Sequence, residues 1–425
     1  MRRSQSRRAA VKAGGVRGRG RVTAADRGVA RSLGDASLAP FRLECDAAIE
    51  PLRLALLALA QSAGCDLLRP QEVSRSLGLN KNLTWKIARV LGAGDSFEAI
   101  SMIPGTEGIE IFLRAFAAAR VDVARVEAAR GAFAALEQVI ARHFGDRGQL
   151  ELMLDAVRSD GNLENSRRLA FRGMSGVFGV QAKVRLTAQI ISPSTDPERA
   201  DISLILGLVG LQRLRPRGRL PVFKWTAGAD RSRPSPLFPS GSEDEFLVRE
   251  FSSFPSSKIQ SSAEGGRHVV ELSEGPLGKL GAADLYFGSI ARAVMQRRGT
   301  PENDFTEFVT AISVPAESLV SDLFVHESVG GLETLETSMH SILAQPLAAD
   351  VAGRDASQLP LDAEAEVIED LAAGFGLPAV PRYEEMIGRA MGVLGQDLRD
   401  HRLVRVAMPF PPVPAALLVR WRIPG

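Results

Sequence analysis

The chain of 425 residues has only two cysteines, Cys45 and Cys65, and five histidines. Two cysteines cannot build a disulfide framework or a four-cysteine zinc site. They read as thiols of a reducing compartment, so a cytoplasmic location is expected. His143, His268, His326, His340 and His401 are scattered; no two stand at helical i, i+4 spacing, and no HExxH occurs. That excludes the sequence signature of a helical metal pair. No GxGxxG follows a strand-like run, and no GxxxxGKS/T occurs. The glycine-rich run at 275–281 lacks the hydroxyl and the spacing of a phosphate loop and reads as a turn. The run at Gly173–Gly176 is not a GxSxG elbow. Glu384 and Glu385 are adjacent on a helix-like segment, where side chains diverge. No uncharged stretch reaches the roughly 18 to 20 apolar residues of a spanning helix. The N-terminal arginines have no apolar run behind them, unlike a secretory signal. No catalytic residue, metal, cofactor or membrane partner is therefore expected, and the chain does not read as an enzyme.

Charge is also scarce in net terms, at +2, but it is unevenly spread. Residues 1–32 carry ten basic side chains and one acid, Asp26; the remainder is mildly acidic. A basic segment joined to an acidic body points to a polyanion partner. Residues 1–32 lack periodic apolar positions and are expected to be disordered. Within them, Arg17, Arg19 and Arg21 alternate with glycine, giving a strip suited to a DNA backbone or minor groove, or to RNA.

The rest divides by period. Residues 43–92 show apolar residues at helical spacing, with Asp46 as a helix cap before Ile49, Leu52, Leu56 and Leu59. Residues 95–175 read as helical throughout. A helix over 121–144 has a stripe from Val126 to Phe144 that reads as core, with a dimer seam as the alternative. From Val180 to Ile190 the period changes to two, as in a half-buried strand. Ile202–Leu211 is expected to be its buried partner. A second hairpin is expected from 305–314 and 318–326, joined across Pro315. Helices are expected near 363–373 and 382–394, then a strand over 415–423. Residues 226–266 hold ten Ser, four Pro and four Gly and read as a long surface loop. The expected fold is α+β: an N-terminal all-α helix-turn-helix and helical domain, then a C-terminal domain of antiparallel strands with inserted helices. The expected divisions are 1–32, 43–92, 95–175 and 179–425.

The stretch from Arg69 to Leu91 has the plan of a helix-turn-helix. Ser74 is small enough for a helix crossing. Gly78 suits the left-handed turn. Val73, Leu77 and Leu79 flank that turn, and Leu83, Ile87, Val90 and Leu91 form one face of the second helix. Asn80, Lys81, Asn82, Trp85 and Lys86 are left for the outside. Asn can pair with adenine edges, and Lys with guanine or phosphate. Asp66 and Glu72 face five basic residues between 66 and 91, a local net of +3.

Leu77–Leu91 resembles the turn and recognition helix of bacterial helix-turn-helix regulators, nearest the IclR-type and MarR-type groups, locally over about residues 46–92. The resemblance implies major-groove binding by Asn80, Lys81, Asn82, Trp85 and Lys86, and a backbone contact by Arg89. Those families follow the recognition helix with a two-stranded wing; here Asp95–Ile103 reads as helix. The expectation is a DNA-binding transcriptional regulator. It would act as a homodimer, because two half-sites need two recognition helices. Its C-terminal domain would sense a small-molecule effector or a partner. The alternative is a multi-domain enzyme or assembly protein whose helical region is a scaffold.

Overall fold

The computed structural model describes residues 24–157, 163–216, 218–226, 234–238, 246–253, 259–264, 267–273, 275–300, 304–343 and 352–424. Arg17, Arg19 and Arg21 lie outside the described residues. The chain forms two compact units, one from Val22 to Ser166 and one from Arg167 to Gly425.

The first unit is all helix: α1 (Ala24–Ser62), α2 (Pro70–Ser76), α3 (Lys81–Gly92), α4 (Ser96–Met102), α5 (Thr106–Ala118), α6 (Val123–Phe144) and α7 (Arg147–Val157). In α1, Phe41, Cys45, Ile49, Leu52, Leu56 and Leu59 recur every three or four residues and are all buried. This is the apolar stripe a core-facing helix requires. Asp46 does not cap the helix as its position predicts. The helix begins at Ala24, so residues 24–32 are helical rather than disordered, and it continues past Pro40 and Pro51. Asp46 instead accepts a hydrogen bond from the Ser96 hydroxyl at the start of α4. The α6 stripe of Val126, Phe133, Leu136, Val139 and Ile140 is buried in the same core as α1, not presented as a dimer seam.

The second unit takes α8 (Leu163–Phe178) from Arg167 onward and is otherwise strand-rich. Its strands are β1 (Val180–Pro193), β2 (Arg199–Arg213), β3 (Leu220–Thr226), β4 (Ser235–Pro236), β5 (Ile259–Glu264), β6 (Arg267–Leu272), β7 (Ala283–Gln296), β8 (Phe305–Ile312), β9 (Ala316–His326), β10 (Glu336–Ser341), β11 (Gln358–Leu359), β12 (Glu366–Ile368), β13 (His401–Pro409) and β14 (Ala415–Arg422). A helix, α9 (Tyr383–Leu394), precedes β13. A seven-stranded sheet has the order β12-β13-β9-β1-β2-β7-β4; four-stranded (β11-β10-β14-β8) and three-stranded (β3-β6-β5) sheets accompany it. The fold class is α+β, as the pattern predicts, although β1 and β9 pair in parallel.

Three sequence expectations need correction here. The 305–326 hairpin does not form: β8 pairs with β14, while β9 pairs with β1 and β13. Residues 363–373 are not a helix but β12 and a 3-10 turn at Leu371–Ala373. Within 226–266, the end of the expected loop is strand β5, paired with β6.

The large sheet is covered on both faces. On one face Val184, Leu186, Ala188 and Ile190 of β1 pack with Tyr383, Met386, Ile387 and Met391 of α9. On the other, Ile191, Leu319, Leu323 and Val404 pack with Leu417, Val419 and Trp421 of the four-stranded sheet. This explains why β1 is not half-buried as its alternation predicts: Arg185 and Thr187, on its polar face, are also buried. The Arg185 guanidinium donates to Thr187 Oγ1 at 3.2 Å and to the Ala311 carbonyl of β8 at 3.3 Å. Burial lowers its pKa to about 10.

Two buried imidazoles give this unit a pH dependence. His401 donates through Nδ1 to the Asp397 carbonyl (2.9 Å), and its ring meets that of His326 edge-on. His340 is held between Ser338 and the Arg354 carbonyl. Burial lowers the pKa of both, with His326 adding repulsion at His401 and Arg354 at His340. The unfolded chain, with ordinary imidazoles near 6.5, then binds more protons than the native state below about pH 6.5. Stability is therefore retained above that pH and lost as pH falls toward the native values, by up to about 1.4 kcal/mol per pH unit per histidine. Urea midpoints measured across this range check it; a midpoint independent of pH between about 7 and 5.5 would contradict it.

Candidate nucleic-acid interface

The helix-turn-helix is built from short-range constraints. Pro70 opens α2, where its missing N–H costs nothing. Gly78 takes φ +66°, a left-handed conformation that a side chain resists by about 1–2 kcal/mol. Ser74 is buried where the chain turns; its hydroxyl donates to the Leu79 carbonyl at 2.7 Å, and its own carbonyl accepts from the Leu79 amide at 3.0 Å. Asn80 caps α3 by accepting the Asn82 amide at 2.8 Å. Val73, Leu79, Ile87 and Val90 are buried in the core shared with α1. Leu77, Leu83 and Leu91 pack against that core in part.

Arg53 of α1 fixes the far end of α3, a contact the local motif does not reveal. Its Nη2 donates to the Ala93 carbonyl at 2.7 Å and its Nε to the Val90 carbonyl at 3.2 Å. A cation on the last carbonyls also complements the helix dipole. Arg53→Ala is expected to destabilise the helical unit by about 1–3 kcal/mol, the range for charged hydrogen bonds lost at a helix end. Thermal or urea unfolding checks it. A change below about 0.5 kcal/mol would show that α3 is held without the clamp.

The opposite face of α3 is open. Asn80, Lys81, Asn82, Trp85, Lys86 and Arg89 are all exposed, whereas Thr84, Ile87 and Val90 between them are buried. The chain thus brings together on one surface every residue that the motif assigns to the recognition helix. Trp85 does not pack into the core; its side chain is half exposed, with the Arg89 guanidinium 5.7 Å from its ring centre. Arg89 also pairs with Glu98 of α4 at 2.8 Å. Glu98 had no sequence signal linking it to this face, since nine residues and a helix break separate it from Arg89. Arg69 is shared between Asp66 and Glu72. Among the described residues, Arg75, Lys81 and Lys86 have no carboxylate within ion-pair distance. The first turn of α3 has no acid, so its amide dipoles stay uncompensated toward an approaching anion. α6 packs against α1 and leaves this face uncovered. No strand pair follows α3 among the described residues; α4 occupies the place of a wing.

The strand-rich unit holds a buried polar cluster. Asp322 of β9 is fully buried and takes two hydrogen bonds from Arg405 of β13, Nε to Oδ1 at 2.9 Å and Nη2 to Oδ2 at 2.6 Å. The Tyr383 hydroxyl of α9 donates to Oδ2 at 2.5 Å. Arg405 also donates to the Phe375 carbonyl at 2.8 Å. Burial, followed by the negative charge of Asp322, drives the Tyr383 phenol pKa well above its ordinary value. With every partner internal, the cluster ties α9 and the loop before it to the sheet. No group of three or more metal-ligating side chains gathers among the described residues. No helix among them is long and apolar enough to cross a membrane.

No family model matches the chain, and no curated protein matches it. Among solved structures, one similar chain is a two-domain M1 zinc metallopeptidase mutant bound to L-tryptophan, with 9% identity and a TM-score of 0.23. Another is the M1 zinc metallopeptidase from Deinococcus radiodurans, with 8% identity and a TM-score of 0.24. Each match covers 57% of this chain and 42% of the other, so the chain spans less than half the length of these proteins. At such TM-scores the likeness assigns neither fold nor activity.

Proposed function

We propose that residues 70–92 form a DNA-binding helix-turn-helix and that the protein is a DNA-binding regulator. One observation carries this reading. The outward face of α3 presents Asn80, Lys81, Asn82, Trp85, Lys86 and Arg89 together, while its inward face is fully used in the core. A helix with that division fits the major groove, where Asn reads adenine and Lys reads guanine or phosphate. Arg89, held by Glu98 near the rim, suits a phosphate contact. The test is binding of the full chain to mixed-sequence duplex DNA at rising salt. Phosphate neutralisation gives log K a slope of about −0.9 per contact. Binding whose affinity ignores salt would exclude it.

The second reading is a multi-domain enzyme or assembly protein in which the helical unit is a scaffold. The two-unit build of the chain favours it, because the strand-rich unit has a core and a buried ion pair that DNA binding does not require. It predicts no DNA binding at moderate salt.

A further inference from the structure

One end of the strand-rich unit is both basic and apolar. α8 lies there. Phe171 meets Phe410 at the end of β13, with ring centres 5.5 Å apart. The Gly179 carbonyl after α8 accepts the Leu214 amide at the end of β2, at 2.8 Å. Arg213 of β2 donates to the Leu272 carbonyl at 2.7 Å, which ties the end of β6 to the same end. A 3-10 turn at Gly278–Gly281 packs beside β2.

The apolar side chains that project from this end are aliphatic and unusually open. Leu280 is 84% exposed, Val177 69%, Leu169 57% and Leu277 46%. Leu169 and Val177 are eight residues apart, so they lie in one row along α8, with Gly173 between them. Leu277 and Leu280 flank the exposed Lys279 on the tight turn. Basic residues border them: Arg172 on α8 and Arg215 after β2 are exposed as well. Neither Arg172, Arg215 nor Lys279 has an acidic partner within ion-pair distance among the described residues. Two ion pairs lie here among the described residues, Glu271 with Arg219 at 3.6 Å and Asp362 with Arg167 of α8 at 3.0 Å.

We propose that this end docks on an anionic phospholipid surface. The basic side chains match the headgroup charge, and the projecting leucines reach the acyl boundary. Duplex DNA offers nothing to four open aliphatic side chains, and among the described residues this end has no exposed aromatic side chain on which a base could stack. A surface attachment of this kind needs no spanning helix.

The test is sedimentation of the full chain with vesicles at about 150 mM salt, where long-range charge effects are screened. The vesicles are phosphatidylcholine alone, or phosphatidylcholine with about one-third phosphatidylserine. The expected result is binding to the anionic vesicles only. Leu277→Ser with Leu280→Ser should lower it about tenfold or more, as should Arg172→Glu with Lys279→Glu. All four positions are exposed, and unchanged unfolding midpoints confirm that the variants fold. Absence of vesicle binding overturns the proposal. So does vesicle binding that both variants retain, which would place it in the basic N-terminal residues. A loss of DNA affinity in Arg172→Glu with Lys279→Glu, without vesicle binding by the parent, would make this end a nucleic-acid surface instead.

Discussion

Lys81→Glu combined with Lys86→Glu is expected to lower DNA affinity by about two orders of magnitude or more. Both side chains stand on the exposed face of α3 and lack an acidic partner there. Each loses a contact of about 1–3 kcal/mol and replaces attraction to phosphate with repulsion. Neither contributes to the core, which α3 enters through Thr84, Ile87 and Val90. The unfolding midpoint should therefore stay within about 0.5 kcal/mol of the parent. This separates the expectation from general damage, and equilibrium titration with a labelled duplex reads it. The salt dependence should flatten by about one unit per contact removed. Full affinity in the double variant would remove α3 from the interface.

Asp322→Ala is expected to destabilise the strand-rich unit by about 3–5 kcal/mol, the cost of leaving one member of a buried pair uncompensated. Arg405 would keep only the Phe375 carbonyl, and the buried Tyr383 hydroxyl would lose its acceptor. Tyr383→Phe removes one hydrogen bond without stranding a charge and should cost about 0.5–1.5 kcal/mol. The ordering matters more than either figure. Comparable losses from both variants would mean that Arg405 finds another partner or solvent. Denaturant unfolding followed by near-UV signal measures both.

The legible parts of the sequence were those fixed locally. The Ser74, Gly78 and Leu79 spacing placed the turn, and the 3–4 spacing of Leu83, Ile87 and Val90 placed the buried side of α3. With that side set, the outward residues followed from helix geometry alone. Strand β1 was equally plain from its period of two. What failed was long-range. Nothing local reveals that β8 pairs with β14 and not with its sequence neighbour β9. Arg185 and Thr187 look solvent-facing until the four-stranded sheet is laid over them. Asp46 has the chemistry of a cap, but the helix already runs through it, past two prolines that usually end a reading. Arg53 and Glu98 reach α3 from neighbouring helices across distances that periodicity does not encode. Strands β7 and β13 give no clear period of two, because Gly288 and Arg292 in the one and Arg402 and Arg405 in the other break up their apolar positions.

The proposed role of α3 is to read DNA sequence. Selection of bound duplexes from a randomised pool, with the full chain as bait, tests it most directly. The expected result is enrichment of a short motif, with adenine positions whose preference is lost when Asn82→Ala is used as bait. A dimer would show the motif twice, about 10 base pairs or a multiple apart. A pool that emerges without enrichment, or an enriched motif unchanged by Asn82→Ala and by Lys81→Glu with Lys86→Glu, would contradict it.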